Sequence, residues 1–346
     1  MIVDDSPIAR AVLSRMLSAH RDFEIVALAA NAGEALDALK SIRVDIVLLD
    51  VEMPGTSGLQ ALPEILRRGH GARVLIVSSI CEDGAEATVK ALALGAADTL
   101  PKPGTGTFAG RFSEVLAERL RRIGRVDRCG SAACAGSDSE QVLVTLRAMP
   151  DSALSCLALG ASTGGLYALG EFLKALPGRI DAPILVTQHL PVVFMPFFAR
   201  QIAAASGRKA QVAEDGMLLR NEEIFIAPGD AHLGLVRNGR GVCVKLGRAP
   251  ASSGCMPSVD CMFWSVGETF GKNGLGVVFS GMGRDGLVGS ARIVDSGGAV
   301  LVQDQRTSAV WGMPRAVAEA GLAAAILPPP DLARRVAARA QGAAWK

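Results

Sequence analysis

What the sequence lacks narrows its class first. Net charge is nearly absent: 36 Lys and Arg against 34 Asp and Glu leave +2. That argues against a dedicated nucleic-acid binder, which would show a basic stripe. No apolar run reaches the length of a membrane-crossing helix, so direct membrane insertion is not expected. Asp4 and Asp5 stand near the start, where a secretory signal would carry Lys or Arg, so export by that route is not expected. The seven cysteines are odd in number, and no Cys-x-x-Cys pair occurs. They read as reduced and mostly structural, in a cytoplasmic protein. The four histidines do not cluster with them along the chain, so no zinc site is expected. No internal repeat is visible. The 346 residues suffice for two domains, each with its own core.

What is present begins with acids and one lysine at the ends of short apolar runs. Met1-Ile2-Val3 leads to Asp4 and Asp5, Val47-Leu48-Leu49 to Asp50, and Thr99-Leu100-Pro101 to Lys102. Val74-Leu75-Ile76-Val77 leads to Ser78. Between these runs lie amphipathic stretches such as Pro7 to Leu17 and Ala32 to Leu39, the alternation of a doubly wound α/β domain. In a parallel sheet, the residues just past the strand ends line one crevice. Asp4, Asp5 and Asp50 would offer oxygen ligands to Mg²⁺ there. Asp50 can act as a carboxylate nucleophile toward a phosphoryl group, Lys102 can pair with its oxygens, and Ser78 adds a hydroxyl. In this order and spacing, residues 1–104 resemble a response-regulator receiver domain of flavodoxin-like fold. The resemblance implies phosphorylation at Asp50, Mg²⁺ held by Asp4, Asp5 and Asp50, and a switch through Ser78 and Lys102. Two departures stand out. Only Met1-Ile2-Val3 precede the acids, so either the first strand is short or a few residues are missing from the start, and position 99, often aromatic in receivers, is Thr99, so no ring flip can operate there.

Phe112, Val115, Leu116, Leu120 and Ile123 recur at helical spacing, with Arg119 at the edge of their stripe. The small, polar run Cys129 to Ser139 follows, so residues 105–151 read as a helix and flexible linker. A second α/β pattern fills residues 152–346. Its strand-like runs are Cys156–Leu159, Pro183–Val186, Glu223–Ile226, Leu275–Phe279 and Ala299–Val302.

In this second part Gly160-Ala161-Ser162-Thr163-Gly164 matches the G-x-S-x-G pattern of a nucleophile on a sharp strand-to-helix turn. A phosphate-binding glycine turn is the alternative, and the motif alone does not separate the two. A serine nucleophile needs a base. His20 and His70 fall in the receiver-like part as surface residues. His189 ends the strand after the Ser162 helix and is preferred over His232, which sits in a turn. For the orienting carboxylate, Asp285 in Gly281-Met282-Gly283-Arg284-Asp285-Gly286 is preferred, with Asp304 next and Asp215, Asp230 and Asp260 as further candidates. The order Ser162, His189, Asp285 differs from the Ser, acid, His order of α/β-hydrolases.

A receiver and linker followed by these motifs, with Gln188-His189-Leu190-Pro191, Ile226-Ala227-Pro228-Gly229-Asp230 and Pro257-Ser258-Val259-Asp260, resemble the CheB family nearly end to end. These are chemotaxis protein-glutamate methylesterases that also deamidate receptor glutamines. The resemblance implies a Rossmann-like second domain. It implies Ser162 as nucleophile, His189 as base, Asp285 as its orienter, and backbone oxyanion donors at Thr163 and Met282. It implies no cofactor for hydrolysis, methyl-accepting chemotaxis receptors as substrate, and a chemotaxis histidine kinase as phosphodonor. It also implies that the unphosphorylated receiver covers the hydrolase cleft. The chain departs from the family pattern at Cys255-Met256, where His-Arg is usual, at Phe194-Met195 and at Gln305. A non-catalytic receptor-binding adaptor and a phospho-regulated esterase for another protein are the alternative functions.

Overall fold

The computed structural model describes residues 1–78, 82–102, 109–124 and 145–341. By contacts it divides into two compact units, Met1–Cys129 and Gly130–Lys346. The expected linker run Cys129 to Ser139 lies outside the described residues.

In the first unit strands and helices alternate: β1 (Ile2–Val3), α1 (Pro7–Ser18), β2 (Leu28–Ala29), α2 (Ala32–Ala38), β3 (Ile46–Leu49), α3 (Gly58–Arg68), β4 (Arg73–Ser78), α4 (Glu82–Ala93), β5 (Asp98–Pro101) and α5 (Ala109–Gly124). The sheet order is β2-β1-β3-β4-β5, with every pair parallel. That is the flavodoxin-like order. Helix starts follow local chemistry. Ser6 Oγ accepts from the Ala9 N–H ahead of Pro7, and Ser57 and Gln60 form a capping box on α3. On α5, Phe112, Leu116, Leu120 and Ile123 are buried, whereas Val115, expected in the same stripe, is exposed. Arg119 flanks that stripe and donates to Asp98 Oδ2 at 3.0 Å and the Thr99 carbonyl at 2.7 Å.

The second unit contains β6 (Cys156–Ala161), α6 (Gly165–Ala175), β7 (Ile184–Gln188), α7 (Met195–Ser206), β8 (Ala210–Val212), β9 (Ile224–Ile226), β10 (His232–Asn238), β11 (Gly241–Gly247), α8 (Val259–Phe270), β12 (Gly274–Val278), α9 (Leu287–Asp295), β13 (Ala299–Gln303), α10 (Met313–Glu319), β14 (Ala323–Leu327) and α11 (Pro329–Ala340). Seven strands form a parallel sheet in the order β14-β13-β12-β6-β7-β9-β8, and β10 and β11 pair as a separate antiparallel hairpin. Strands β6, β7, β12 and β13 are buried along their whole length. Burial on both faces is why they read as continuous apolar runs. Phe172, Phe198, Phe225, Phe263 and Phe279 are fully buried, and the Phe172 and Phe279 rings meet edge to face at 5.1 Å.

Both sheets are doubly wound, as the alternation of runs implies. Strands β8, β10, β11 and β14 were not expected. The first is three residues long, β14 is mostly alanine, and the hairpin buries only parts of its strands. In the seven-stranded sheet the winding direction changes between β6 and β12, which opens a crevice beyond their carboxyl ends. Among the described residues, no helix is long and apolar enough to cross a membrane.

Candidate active site and acidic pocket

Ser162 follows β6 at that crevice. Its N–H donates to the Ser280 carbonyl at 3.0 Å, and its own carbonyl accepts from Gly165 N–H at 2.8 Å and Gln188 Nε2 at 2.9 Å. The turn is therefore pinned to the ends of β7 and β12, the strands on either side. Gly164 sits at φ 72°, and a Cβ there would lie 2.2 Å from Ala309 Cβ. Only glycine fits both the conformation and the space. At Gly281, a Cβ would lie 2.4 Å from Met313 Sδ and 2.9 Å from Ser162 Cβ. The β12 loop thus passes directly against the serine. Ser280 knits it further, donating from Oγ to the Thr163 carbonyl at 2.7 Å and from N–H to Gln303 Oε1 at 2.7 Å. Met282 N–H finds no acceptor among the described residues.

His189 leaves the end of β7, its N–H bonded to the Ala161 carbonyl at 3.2 Å. Its Nε2 lies 2.8 Å from Asp285 Oδ2. No hydrogen bond joins it to the Ser162 hydroxyl in this structure. Asp285 is buried in a nest of donors. Its Oδ1 accepts from Ser258 Oγ at 2.8 Å and Asp260 N–H at 3.1 Å, and its Oδ2 accepts from Val259 N–H at 2.7 Å besides His189. Two of these donors are first-turn amides of α8, which carry the positive end of the helix dipole.

Charge follows from this geometry. Burial alone would raise the Asp285 carboxyl, but the His189 bond and charge, with the Val259 and Ser258 bonds, hold it far below the usual carboxylate range. Burial alone would lower the imidazole, but Asp285 and the neighbouring Cys255 thiol outweigh it and raise His189 from 6.5 to about 9. Asp260, whose Oδ1 accepts from Gly289 N–H at 2.8 Å, is pushed up to about 6 by burial, opposed by backbone bonds and reinforced by the Asp285 charge.

The other candidates fall elsewhere. His232 opens β10 with both ring nitrogens on backbone: Nδ1 accepts from Ser258 N–H at 3.0 Å, and Nε2 donates to the Ala249 carbonyl at 2.8 Å. It holds Ser258, which holds Asp285. Asp304 accepts from Thr307 N–H at 3.3 Å and caps a turn, Asp215 accepts from Leu246 N–H at 2.7 Å, and Asp230 pairs with Arg248. His20 and His70 belong to the first unit. Ser258 and His232 had no such supporting part in the sequence reading. The sequence does carry Pro257-Ser258-Val259-Asp260, but not the fold that turns it toward Asp285. One histidine and one cysteine that lie far apart in the chain meet in space. One donor atom each of His189, Cys255 and Asp285 lies within 4.8 Å of the other two.

The first unit gathers Asp4, Asp5 and Asp50, one oxygen of each within 4.8 Å of the others. Lys102 Nζ donates to Asp50 Oδ2 at 2.7 Å and stands 3.0 Å from Asp4 Oδ2 without the alignment of a hydrogen bond. That buried Asp4 oxygen accepts no hydrogen bond. A buried carboxylate oxygen that accepts no hydrogen bond, with two more carboxylates around it, fits a hard divalent cation. Burial raises Asp50, against the lowering effect of Lys102; burial would lower Lys102, but its bond to Asp50 and its ion pair with Asp4 outweigh that and raise it. Ser78 ends β4 beside Pro101 of β5, but its side chain lies outside the described residues. Thr99 is buried in β5.

The chain matches two family models: CheB methylesterase over residues 157–336, and response regulator receiver domain over residues 1–107. A protein-glutamate methylesterase/protein-glutamine glutaminase of Caulobacter vibrioides is 38% identical over 99% of this chain and 99% of its own length. Another, of Paramagnetospirillum magneticum, is 35% identical over 96% of this chain and 93% of its own. The crystal structure of the Thermotoga maritima CheB methylesterase catalytic domain, 32% identical, aligns with 54% of this chain and 98% of that one at a TM-score of 0.52.

Proposed function

Because the chain belongs to the CheB methylesterase family and carries a response-regulator receiver domain ahead of its hydrolase domain, we propose that it hydrolyses glutamate γ-methyl esters on methyl-accepting chemotaxis receptors under the control of phosphorylation. Deamidation of receptor glutamines is the second activity of the same site. The observation that supports this reading best is the serine turn pinned between two strand ends, one of which presents a histidine bonded to a buried carboxylate.

The chemistry is acyl transfer. Ser162 Oγ attacks the ester carbonyl carbon, and its proton passes to His189 Nδ1, since Nε2 is engaged with Asp285. In the substrate-free site this proton path is not yet closed by a hydrogen bond, and such bonds tighten once substrate fills the crevice. Asp285 steadies the imidazolium. The oxyanion is met by the N–H groups of Met282 and Thr163. When the tetrahedral intermediate collapses, the imidazolium proton goes to the departing oxygen and methanol leaves. Water then attacks the acyl-serine, again losing a proton to His189. Ser162 recovers its hydroxyl, and a glutamate carboxylate remains. With glutamine as substrate, ammonia leaves in place of methanol.

In the receiver, Asp50 accepts the phosphoryl group from a chemotaxis histidine kinase. Asp4, Asp5 and Asp50 would hold Mg²⁺, whose positive charge offsets that of the phosphoryl oxygens. Lys102, already against Asp50, is placed to pair with those oxygens, and Ser78 completes the switch. Methanol release from methylated receptor membranes tests the reading. Ser162→Ala should lower it by a factor on the order of 10⁴ or more. Release by that variant at near the original rate would refute the nucleophile. No release by the unsubstituted protein would favour a non-catalytic adaptor.

A further inference from the structure

One soft nucleophile at the crevice has no part in this mechanism. Cys255 is half-buried, and its Sγ belongs to the cluster with His189 and Asp285. Its sulfur donates a long hydrogen bond to the Ser253 carbonyl at 3.8 Å and also faces the His189 imidazole. Its presence is felt by the imidazole, whose raised basicity owes part to the Cys255 thiol. Met256, beside it, is exposed, so the segment is open to solvent.

The donor set supplies two ligands of zinc-site chemistry, with a carboxylate behind one of them. A metal-binding histidine commonly donates its second ring N–H to a carboxylate, which fixes the ring. His189 and Asp285 already have that relation at 2.8 Å. Asp285 has no lone pair to spare, because each of its oxygens accepts two hydrogen bonds. It therefore suits an outer partner better than a direct ligand. The remaining imidazole nitrogen and the thiol are the borderline and soft donors that Zn²⁺ favours and Mg²⁺ does not.

We propose that Cys255 and His189 bind a thiophilic divalent cation of the Zn²⁺ type, with Asp285 orienting the ring, and that this cation switches hydrolysis off by occupying the general base. Cys255 Sγ coordinates as thiolate, its proton released to solvent, and His189 coordinates through Nδ1. Water completes the four-coordinate shell. The two units then sort metals by hardness: Mg²⁺ goes to the carboxylate pocket of the first, Zn²⁺ to the crevice of the second. The inhibitory half rests on His189 being the base, while the binding half does not.

The test uses the purified full-length protein with Co²⁺ and Zn²⁺ as probes. Co²⁺ bound to a thiolate gives a sulfur-to-metal charge-transfer absorption that oxygen ligands do not. The band should appear in the unsubstituted protein and in Ser162→Ala, disappear when Zn²⁺ displaces Co²⁺, and be lost in Cys255→Ala. His189→Gln should weaken Co²⁺ binding. Methanol release should fall with Zn²⁺, return with a chelator, and become about tenfold or more less sensitive in Cys255→Ala. Circular dichroism on each variant separates loss of a ligand from loss of fold. A band that survives Cys255→Ala places the metal on another cysteine and overturns the site. Cys255-dependent binding with unchanged turnover overturns the inhibition. A Cys255-dependent band in a protein that releases no methanol keeps the metal site and sinks the esterase reading.

Discussion

Asp285→Asn should cost activity in a strongly pH-dependent way. The four donors around Asp285 divide two to each oxygen: Ser258 Oγ and Asp260 N–H on Oδ1, His189 Nε2 and Val259 N–H on Oδ2. An amide must turn its NH₂ toward one pair. Toward Oδ1, the Ser258 hydroxyl can rotate to accept, and only the longer bond, 3.1 Å from Asp260, is lost. Toward Oδ2, the 2.7 Å Val259 bond is lost and the imidazole tautomer is reversed. The first orientation wins, so His189 keeps its ring position and its Nε2 proton. What disappears is the negative charge. That charge outweighs the burial penalty and, with Cys255, carries His189 from 6.5 to about 9. That net difference amounts to roughly 3 kcal/mol, or a few hundredfold in rate, and sets the order of magnitude of what Asp285 supplies, since burial opposes it and Cys255 shares in it. Below the raised value, resting enzyme and transition state both carry an imidazolium, and both lose the same stabilisation. Above it the resting ring is neutral, and only the transition state loses. The substitution should therefore change kcat/KM modestly near neutral pH, by about a few hundredfold in alkali, and shift the rate profile to lower pH. Initial rates of methanol release across that range, under saturating phosphodonor, decide it. An equal loss at both ends would show that Asp285 acts through geometry or tautomer and not through charge.

Three further outcomes are expected. His232→Ala should remain folded but lose the acceptor for Ser258 N–H, and should slow hydrolysis while leaving Ser162 reactive toward an active-site acylating probe; an unchanged rate would show that Ser258 needs no such support. Asp50→Asn should keep basal hydrolysis and lose its stimulation by a small phosphodonor with Mg²⁺, and stimulation that survives would move the phosphorylation site. Gly164→Ala should lower the melting temperature, because a left-handed φ and a 2.2 Å approach to Ala309 Cβ cannot both be relieved; a wild-type melting curve would show that the turn can relax.

Much of this arrangement was legible in the chain because parallel strands buried on both faces announce themselves. Val47-Leu48-Leu49 and Cys156 to Ala161 are apolar to the last residue, and the polar group after each run must lie at the sheet's carboxyl edge. That logic reaches Asp50, Ser162 and His189 without coordinates. It does not reach Ser258, His232 or Cys255. Ser258 and Cys255 come from the segment between the hairpin and α8, and His232 from the start of the hairpin; Ser258 reaches Asp285 because α8 packs with its first turn over the β12 loop. Distance along the chain gives no hint of such a meeting. The hairpin had a signal that went unread: Asn238-Gly239-Arg240-Gly241 is a tight-turn sequence between alternating apolar residues, and Asn238 pairs with Gly241 across it. Val115 failed for a different reason. Helical spacing gives the direction of a side chain but not the width of the surface it faces.

The donor nest around Asp285 also turns two ordinary amides into instruments. Val259 and Asp260 point their N–H groups at the one carboxylate whose charge the imidazole senses. Their proton and nitrogen resonances will move with every event that changes that charge or its partner, whether substrate entry, acylation of Ser162 or a cation at His189. Because the hydrogen bonds lie in a buried turn, these two signals should also be among the slowest to exchange with deuterated solvent. The catalytic crevice can thus be followed in solution through its own backbone, without an attached probe and without altering any residue that takes part in the reaction.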